Sequence, residues 1–250
     1  MSCLFYCVCR HPGPELSGPL LGVGGRPVYQ VAHQGLSVAL SQIGRADLDP
    51  DIPRVRAYER VVLSYHQRGA VVPMRYGCMV EQESQAIQLL ETHGPRYEAL
   101  LQELDGCVEM GLRVLLPSGP WAAVLPGGPE ARREMAGPCP PDAAAAPDRL
   151  GLTYLTARKA YYASQDRWTT EYRRVADRCR EQFAGLYVKC LTEAPSPRLP
   201  LLSLHFLVPR PVVESFRQAF RHLTGTESAR LLLSGPWPPY NFVISGPSLI

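Results

Sequence analysis

Six histidines (His11, His33, His66, His93, His205 and His222) are the chain's most versatile chemical groups, able to ligate metal or move protons. They lie apart, and no two fall at the spacing that would set a metal-binding pair on one helix face, so no zinc centre is expected. Eight cysteines offer thiol chemistry, but a 250-residue chain can build a core without a disulfide framework. Cys3, Cys7 and Cys9 alternate along an apparent first strand and share one of its faces, while Cys78 and Cys107 fall in or beside other strands. They read as reduced, small core hydrophobes. Gly22-Val-Gly-Gly25 is glycine-rich, but no helix clearly opens after it and no Lys-Ser/Thr pair follows, so a phosphate loop is not indicated. There is no Gly-x-Ser-x-Gly elbow. The chain reads as non-enzymatic, with no catalytic residue, cofactor or metal expected.

Two charges stand inside apolar strand-like stretches: Arg75 in Val71-Val-Pro-Met-Arg-Tyr76 and Glu109 in Cys107-Val-Glu-Met110. A charge in such a place must face solvent or be paired, because burying it alone is costly. Alternation puts Arg75 with Val71 and Pro73, and Glu109 with Cys107. The expectation is a structural ion pair between Arg75 and Glu109 across neighbouring strands; the alternative is two solvated residues on an open sheet face.

The most distinctive stretch is Gly235-Pro-Trp-Pro-Pro-Tyr-Asn-Phe242, three prolines and three aromatics in eight residues. Prolines 236, 238 and 239 cannot donate to a ladder, so a strand ending at Ser234 is expected to leave its sheet there. The stiff path presents Trp237, Tyr240 and Phe242 at low entropic cost. Two readings follow: these aromatics are anchors for a partner protein, or they form a C-terminal flap sealing the second domain or the domain junction.

The elements that position these groups can be read from periodicity. Residues 2–9, Pro27–Ala32 and Leu36–Ser41 suggest strands. Pro53 opens a helix to about Gln67 whose stripe is Val55, Tyr58, Val61, Val62 and Tyr65. Val71–Tyr76 returns as a strand, and Glu81–Glu91 with Pro95–Leu104 suggests a helix pair broken at His93-Gly94-Pro95. Cys107–Leu116 closes this half, a sheet covered by helices on one side. Residues 117–149, rich in Pro, Gly and Ala, read as a linker. Leu150 to about Tyr187 suggests one helix of roughly 50 Å, with Tyr154, Tyr161, Trp168, Tyr172, Val175, Cys179 and Phe183 along one stripe. That stripe suits packing on the C-terminal sheet, with a coiled-coil or partner-binding seam as the alternative. Strands Leu186–Leu191 and Leu201–Val208, helix Pro211–Leu223 and strand Arg230–Ser234 follow. The expected class is α+β in two domains: an N-terminal sheet-plus-helices domain over 1–116, and a modified ferredoxin-like domain with its long helix over 150–250.

Composition fits a globular protein, with 46% hydrophobic and 20% charged residues. A net charge of +3 and the lack of a basic stripe give no reason to invoke nucleic acid. The apolar N-terminus lacks the charged region and cleavage site of a signal peptide, and no apolar run approaches a membrane span. A cytoplasmic protein is expected.

Four segments together resemble one known family, the gas vesicle proteins GvpF and GvpL. They are Ala70-Val-Val-Pro-Met-Arg-Tyr-Gly77, Leu104-Asp-Gly-Cys-Val-Glu-Met-Gly-Leu-Arg-Val114, Gly151-Leu-Thr-Tyr-Leu-Thr-Ala-Arg-Lys159 and the Gly235–Phe242 segment. The last is the most specific, and the motifs overlap between the F and L branches. Leu152, where members often carry Arg, and the number of cysteines depart from the pattern. The resemblance implies a role as accessory factor in gas vesicle assembly, contacting the major subunit GvpA and other accessory Gvp proteins. The reading from another class is a small-molecule sensor or enzyme on ferredoxin-like domains, which would need a polar pocket with perturbed titratable groups.

Overall fold

The computed structural model describes residues 2–12, 18–44, 49–115, 170–194, 201–226 and 229–243. The expected linker over 117–149 and the stripe residues Tyr154, Tyr161 and Trp168 lie outside them.

Strand β1 (Ser2–Arg10) is buried along almost all its length because elements cover both of its faces. It pairs antiparallel with β3 (Leu36–Ile43), which pairs in turn with β2 (Tyr29–His33). The β2–β3 turn is made by Gln34 and Gly35, both with positive φ (45° and 81°), as a two-residue hairpin of matching twist demands. On its other side β1 pairs with β4 (Val72–Pro73) and β5 (Met79–Val80). The strand expected over Val71–Tyr76 is cut short by a turn in which the Cys78 amide donates to the Arg75 carbonyl and Gly77 takes φ 88°.

Helix α1 (Ile52–His66) begins where the Asp51 carboxylate accepts the Arg54 amide at 2.7 Å. Its Tyr58, Val61, Val62 and Tyr65 pack on one face of the sheet. Helix α2 (Glu83–Glu103) packs Ala86, Leu90, Tyr97 and Leu101 on the opposite face. The first sheet is therefore covered on two sides, where the sequence suggested one. Nor is α2 a broken pair: it runs unbroken through Pro95. Residues 86, 90, 97 and 101 form one buried stripe across the proline, and that packing outweighs the hydrogen bond Pro95 cannot make.

The cysteine pattern is also corrected. In the β1–β3 register Phe5 faces Leu40 and Cys7 faces Ala39, so Tyr6 is an extra residue in a β-bulge. One inserted residue reverses the alternation beyond it. Cys3 consequently joins the α2-side core with Phe5 and Val8, while Cys7 and Cys9 join the α1-side core with Tyr6.

The second sheet has the order β7-β8-β6-β9, from β6 (Cys107–Leu115), β7 (Lys189–Glu193), β8 (Leu201–Pro209) and β9 (Arg230–Trp237), all antiparallel. The strand read from sequence as closing the first half is thus central to the second. A helix α3 over 170–182 precedes β7, and α4 (Val213–Thr226) lies between β8 and β9. This is the βαββαβ succession of a ferredoxin-like sheet, with β6 as its first strand. Val108, Met110, Leu112 and Val114 of β6 pack with Val175, Cys179 and Phe183 and with Phe216. Phe183 stacks on Phe216 with centroids 4.1 Å apart, and Phe206 meets both edge-on. Gly185, with φ 79°, follows the end of α3, earlier than the expected end near Tyr187.

The halves meet along several contacts. An Arg210 guanidinium nitrogen donates to the His66 carbonyl at the end of α1, and Lys189 of β7 pairs with Glu103 of α2 at 2.7 Å. Leu207, Phe242 and Val243 from the second half enter the α2-side core of the first.

Candidate interaction site at the C-terminal segment

Strand β9 does not leave the sheet at Ser234. Ser234 pairs with Gly111 and Trp237 with Glu109, so three steps on β9 span two on β6. The bulge, on an edge strand, accommodates Pro236, whose missing donor costs nothing where the ladder is already interrupted. Gly235 sits in it with φ 112°, and a Cβ there would lie 2.7 Å from the Glu109 carbonyl oxygen, so only glycine fits. The chain then turns away through buried Pro238 and Pro239 into a short 3₁₀ turn, Tyr240–Phe242.

The three predicted anchors part company here. Trp237 is 40% exposed, whereas Phe242 is 1% exposed in the α2-side core. Tyr240 is half-buried against the α1-side core, and burial pushes its hydroxyl pKa well above the usual tyrosine value. Residues 240–242 thus reach the cores on both faces of the first sheet, the placement a flap would have. Trp237 alone of the three is placed as an anchor would be.

Arg75 and Glu109 are not brought together. Arg75 is exposed at the turn after β4, in the first sheet, while Glu109 is buried on β6 of the second. Glu109 instead accepts the Asn241 backbone N–H on Oε2 at 3.0 Å and the Asn241 side-chain amide on Oε1. The His205 Nδ1 lies 3.1 Å from Oε1. His205 stands opposite Gly111 on β8, and the absent side chain at Gly111 lets the imidazole lean diagonally to Glu109. Its Nε2 faces Glu193 Oε2 at 3.7 Å, beyond hydrogen-bond reach. The hydrogen bond to Glu109, aided by the charges of Glu109 and Glu193, raises the His205 pKa above its usual value despite burial. A buried carboxylate with three donors converging on it fastens the 240–243 segment to the second sheet.

His205 and Asn241 were missed from sequence. Ser203 and His205 do alternate with Leu202, Leu204 and Phe206, which marks one polar face, but nothing local links that face to position 241. The glycine-rich turn is structural: Gly22 donates to the Arg26 carbonyl, and the Val23 N–H goes inward to the Tyr6 hydroxyl at 3.1 Å. A Cβ at Gly22 would come within 2.1 Å of that hydroxyl. A second buried histidine, His66, has neither ring nitrogen hydrogen-bonded, and burial with the nearby Arg210 charge lowers its pKa to about 4. Among the described residues no group of three potential metal ligands is found, and no helix is long and apolar enough to cross a membrane.

A two-sheet α+β protein whose C-terminal segment is keyed into both halves has close counterparts among solved structures. The crystal structure of the gas vesicle protein GvpF from Anabaena sp. PCC7120 matches with a TM-score of 0.69 at 15% identity, covering 98% of this chain and 99% of that one. That of GvpF from Microcystis aeruginosa matches with a TM-score of 0.70 at 17% identity, covering 97% and 98%. Similarity also extends to sequence: Gas vesicle protein F of Streptomyces sp. (strain CB03234) is 27% identical over 247 residues, spanning 97% of this chain and 100% of its own. Gas vesicle protein L of the same strain is 24% identical over 261 residues, with 95% and 91% covered. The sequence profile described as "Gas vesicle synthesis protein GvpL/GvpF" matches residues 2–244, and the chain belongs to that family. Its role lies in gas vesicle formation.

Proposed function

We propose that this chain is a non-enzymatic, cytoplasmic accessory factor of gas vesicle assembly that contacts the major gas vesicle subunit GvpA and other accessory Gvp proteins. The observation that carries this reading is the family match over residues 2–244, nearly the whole chain. The physical logic agrees with it. Subunits that build a wall around gas must present apolar surface, and delivering them requires a factor that shields it by binding an apolar helix in a groove or a strand at a sheet edge. Edge strands β2, β7 and β9, and exposed Leu115 and Leu232 on one face of the second sheet, are surfaces that suit such binding.

The test is expression of a complete gas vesicle gene set with and without this chain, scored by electron microscopy. Vesicles that form only when the chain is supplied support the reading. Normal vesicles in its absence contradict it.

A further inference from the structure

The second sheet has one face covered by α3 and α4 and another that the described residues cover only in part. The strand register sets the second face in rows. The rows through Leu207 and Glu109, and through His205 and Gly111, are closed over by the first half and by residues 241–243. The next two rows, Glu193-Ser203-Arg113-Leu232 and Leu201-Leu115-Arg230, carry exposed side chains: Leu232 is 61% and Leu115 43% exposed. Arg113 lies beside Leu232 and Arg230 beside Leu115, a checkerboard of apolar and basic groups. Neither arginine makes an ion pair with any described residue.

We infer that these uncovered rows are a docking surface for an amphipathic helix of a partner protein whose apolar stripe is flanked by acidic residues. A helix is the fitting element because the same strands already carry two helices on their other face, so their spacing and twist accept one. Acidic flanks follow from two arginines without an ion-pair partner among the described residues, set next to two exposed leucines, since a partner that covers the leucines must also meet the guanidiniums. The small side chain at Ser203, in the same row as Arg113 and Leu232, lowers the floor beside them. The surface also continues a face that already holds half-buried Asn241 and buried Phe242, so a docked helix extends an existing contact layer. An anionic bilayer or nucleic acid calls for a broader basic field than two arginines on a chain of net charge +3. The inference concerns where and how a partner binds, and it stands whichever Gvp protein that partner is.

Fluorescence anisotropy on the full chain tests it, using dye-labelled helical peptides of about 18 residues. One carries leucines at i, i+3, i+4 and i+7 with flanking glutamates; its twin replaces the glutamates with lysines. The acidic peptide is expected to bind saturably and at least about tenfold more tightly than the basic one. The double variant Arg113→Glu/Arg230→Glu, both at exposed positions, should reverse that preference while the urea unfolding midpoint holds. Leu232→Ser should weaken the acidic peptide with the charges intact. Equal binding of the two peptides, no saturable binding, or an unchanged preference in the double variant overturns the inference. So does a dimer of the chain alone that Arg113→Glu/Arg230→Glu dissociates, since the occupant would then be a second copy.

Discussion

Replacing Phe242 by alanine separates a sealing role of the C-terminal segment from a purely binding one. The ring is 1% exposed and packs in a core that includes Cys107 and Leu207 with residues of β1, β3 and α2. Removing it takes on the order of 130 Å² of apolar surface out of the core, about 3 kcal/mol at the usual transfer coefficient. The walls come from two sheets and a helix and cannot all collapse inward, so a cavity penalty brings the expected loss to about 3–5 kcal/mol. Phe242→Leu fills much of the space and should cost under about 1.5 kcal/mol. Urea unfolding followed by circular dichroism reads both values directly. A Phe242→Ala protein within about 1 kcal/mol of the parent would refute the packing argument.

Glu109→Ala leaves the Asn241 N–H, the Asn241 amide and His205 without their shared acceptor, and should cost about 3–5 kcal/mol in the same assay. Glu109→Gln keeps one acceptor oxygen and should cost clearly less; equal losses would show that the hydrogen bonds are not what matters. His66, with its pKa lowered from 6.5 to about 4, must charge against burial and Arg210 as pH falls. The unfolded chain binds more protons in that window, so the native state loses stability from about pH 6.5 down through pH 4, approaching about 3 kcal/mol at 1.36 kcal/mol per pH unit. His66→Leu should remove that part of the pH dependence, and parallel parent and variant curves would contradict it. His205 has the opposite sign: its pKa is raised, so its contribution is full below its ordinary value and is lost as pH rises through the folded one. A His205→Gln protein should lack this alkaline-side loss, and a difference from the parent that stays constant across it would count against the Glu109 contact.

Elements are legible in the sequence where local signals and tertiary context agree. The 29–43 hairpin and the 52–66 helix were both visible, the second because Tyr58, Val61, Val62 and Tyr65 of its apolar stripe are the face that packs, although Val55 of that stripe is 41% exposed. Legibility fails where one residue changes a period or a distant strand decides pairing. The Tyr6 bulge moves Cys3 to the opposite face from Cys7 and Cys9, and no property of Tyr6 announces an insertion. Pro95 is a strong breaker by propensity, yet the stripe through Ala86, Leu90, Tyr97 and Leu101 carries the helix across it. Cys107–Leu115 followed an N-terminal helix in sequence, but its partners β8 and β9 come much later in the chain. The same long-range pairing hid the Glu109 cluster. Position 109 stands out in sequence as a charge in an apolar strand, to be paired with Arg75 or solvated, but its actual partners, at 205 and 241, come from strands and turns that sequence does not place side by side. Arg75 was drawn in because Val71–Tyr76 alternates like a strand, and the turn closed by Gly77 leaves it exposed instead.

We propose above that this chain contacts the major gas vesicle subunit during assembly. The most direct measurement is capture from cells co-expressing the two, comparing the intact chain with the folded Trp237→Ala variant, Trp237 being the exposed member of the aromatic set. The intact chain is expected to bring down the subunit, and loss of capture in the variant would place the contact at the C-terminal segment. Failure of the intact chain to capture the subunit, even with the other accessory Gvp proteins present, would contradict it.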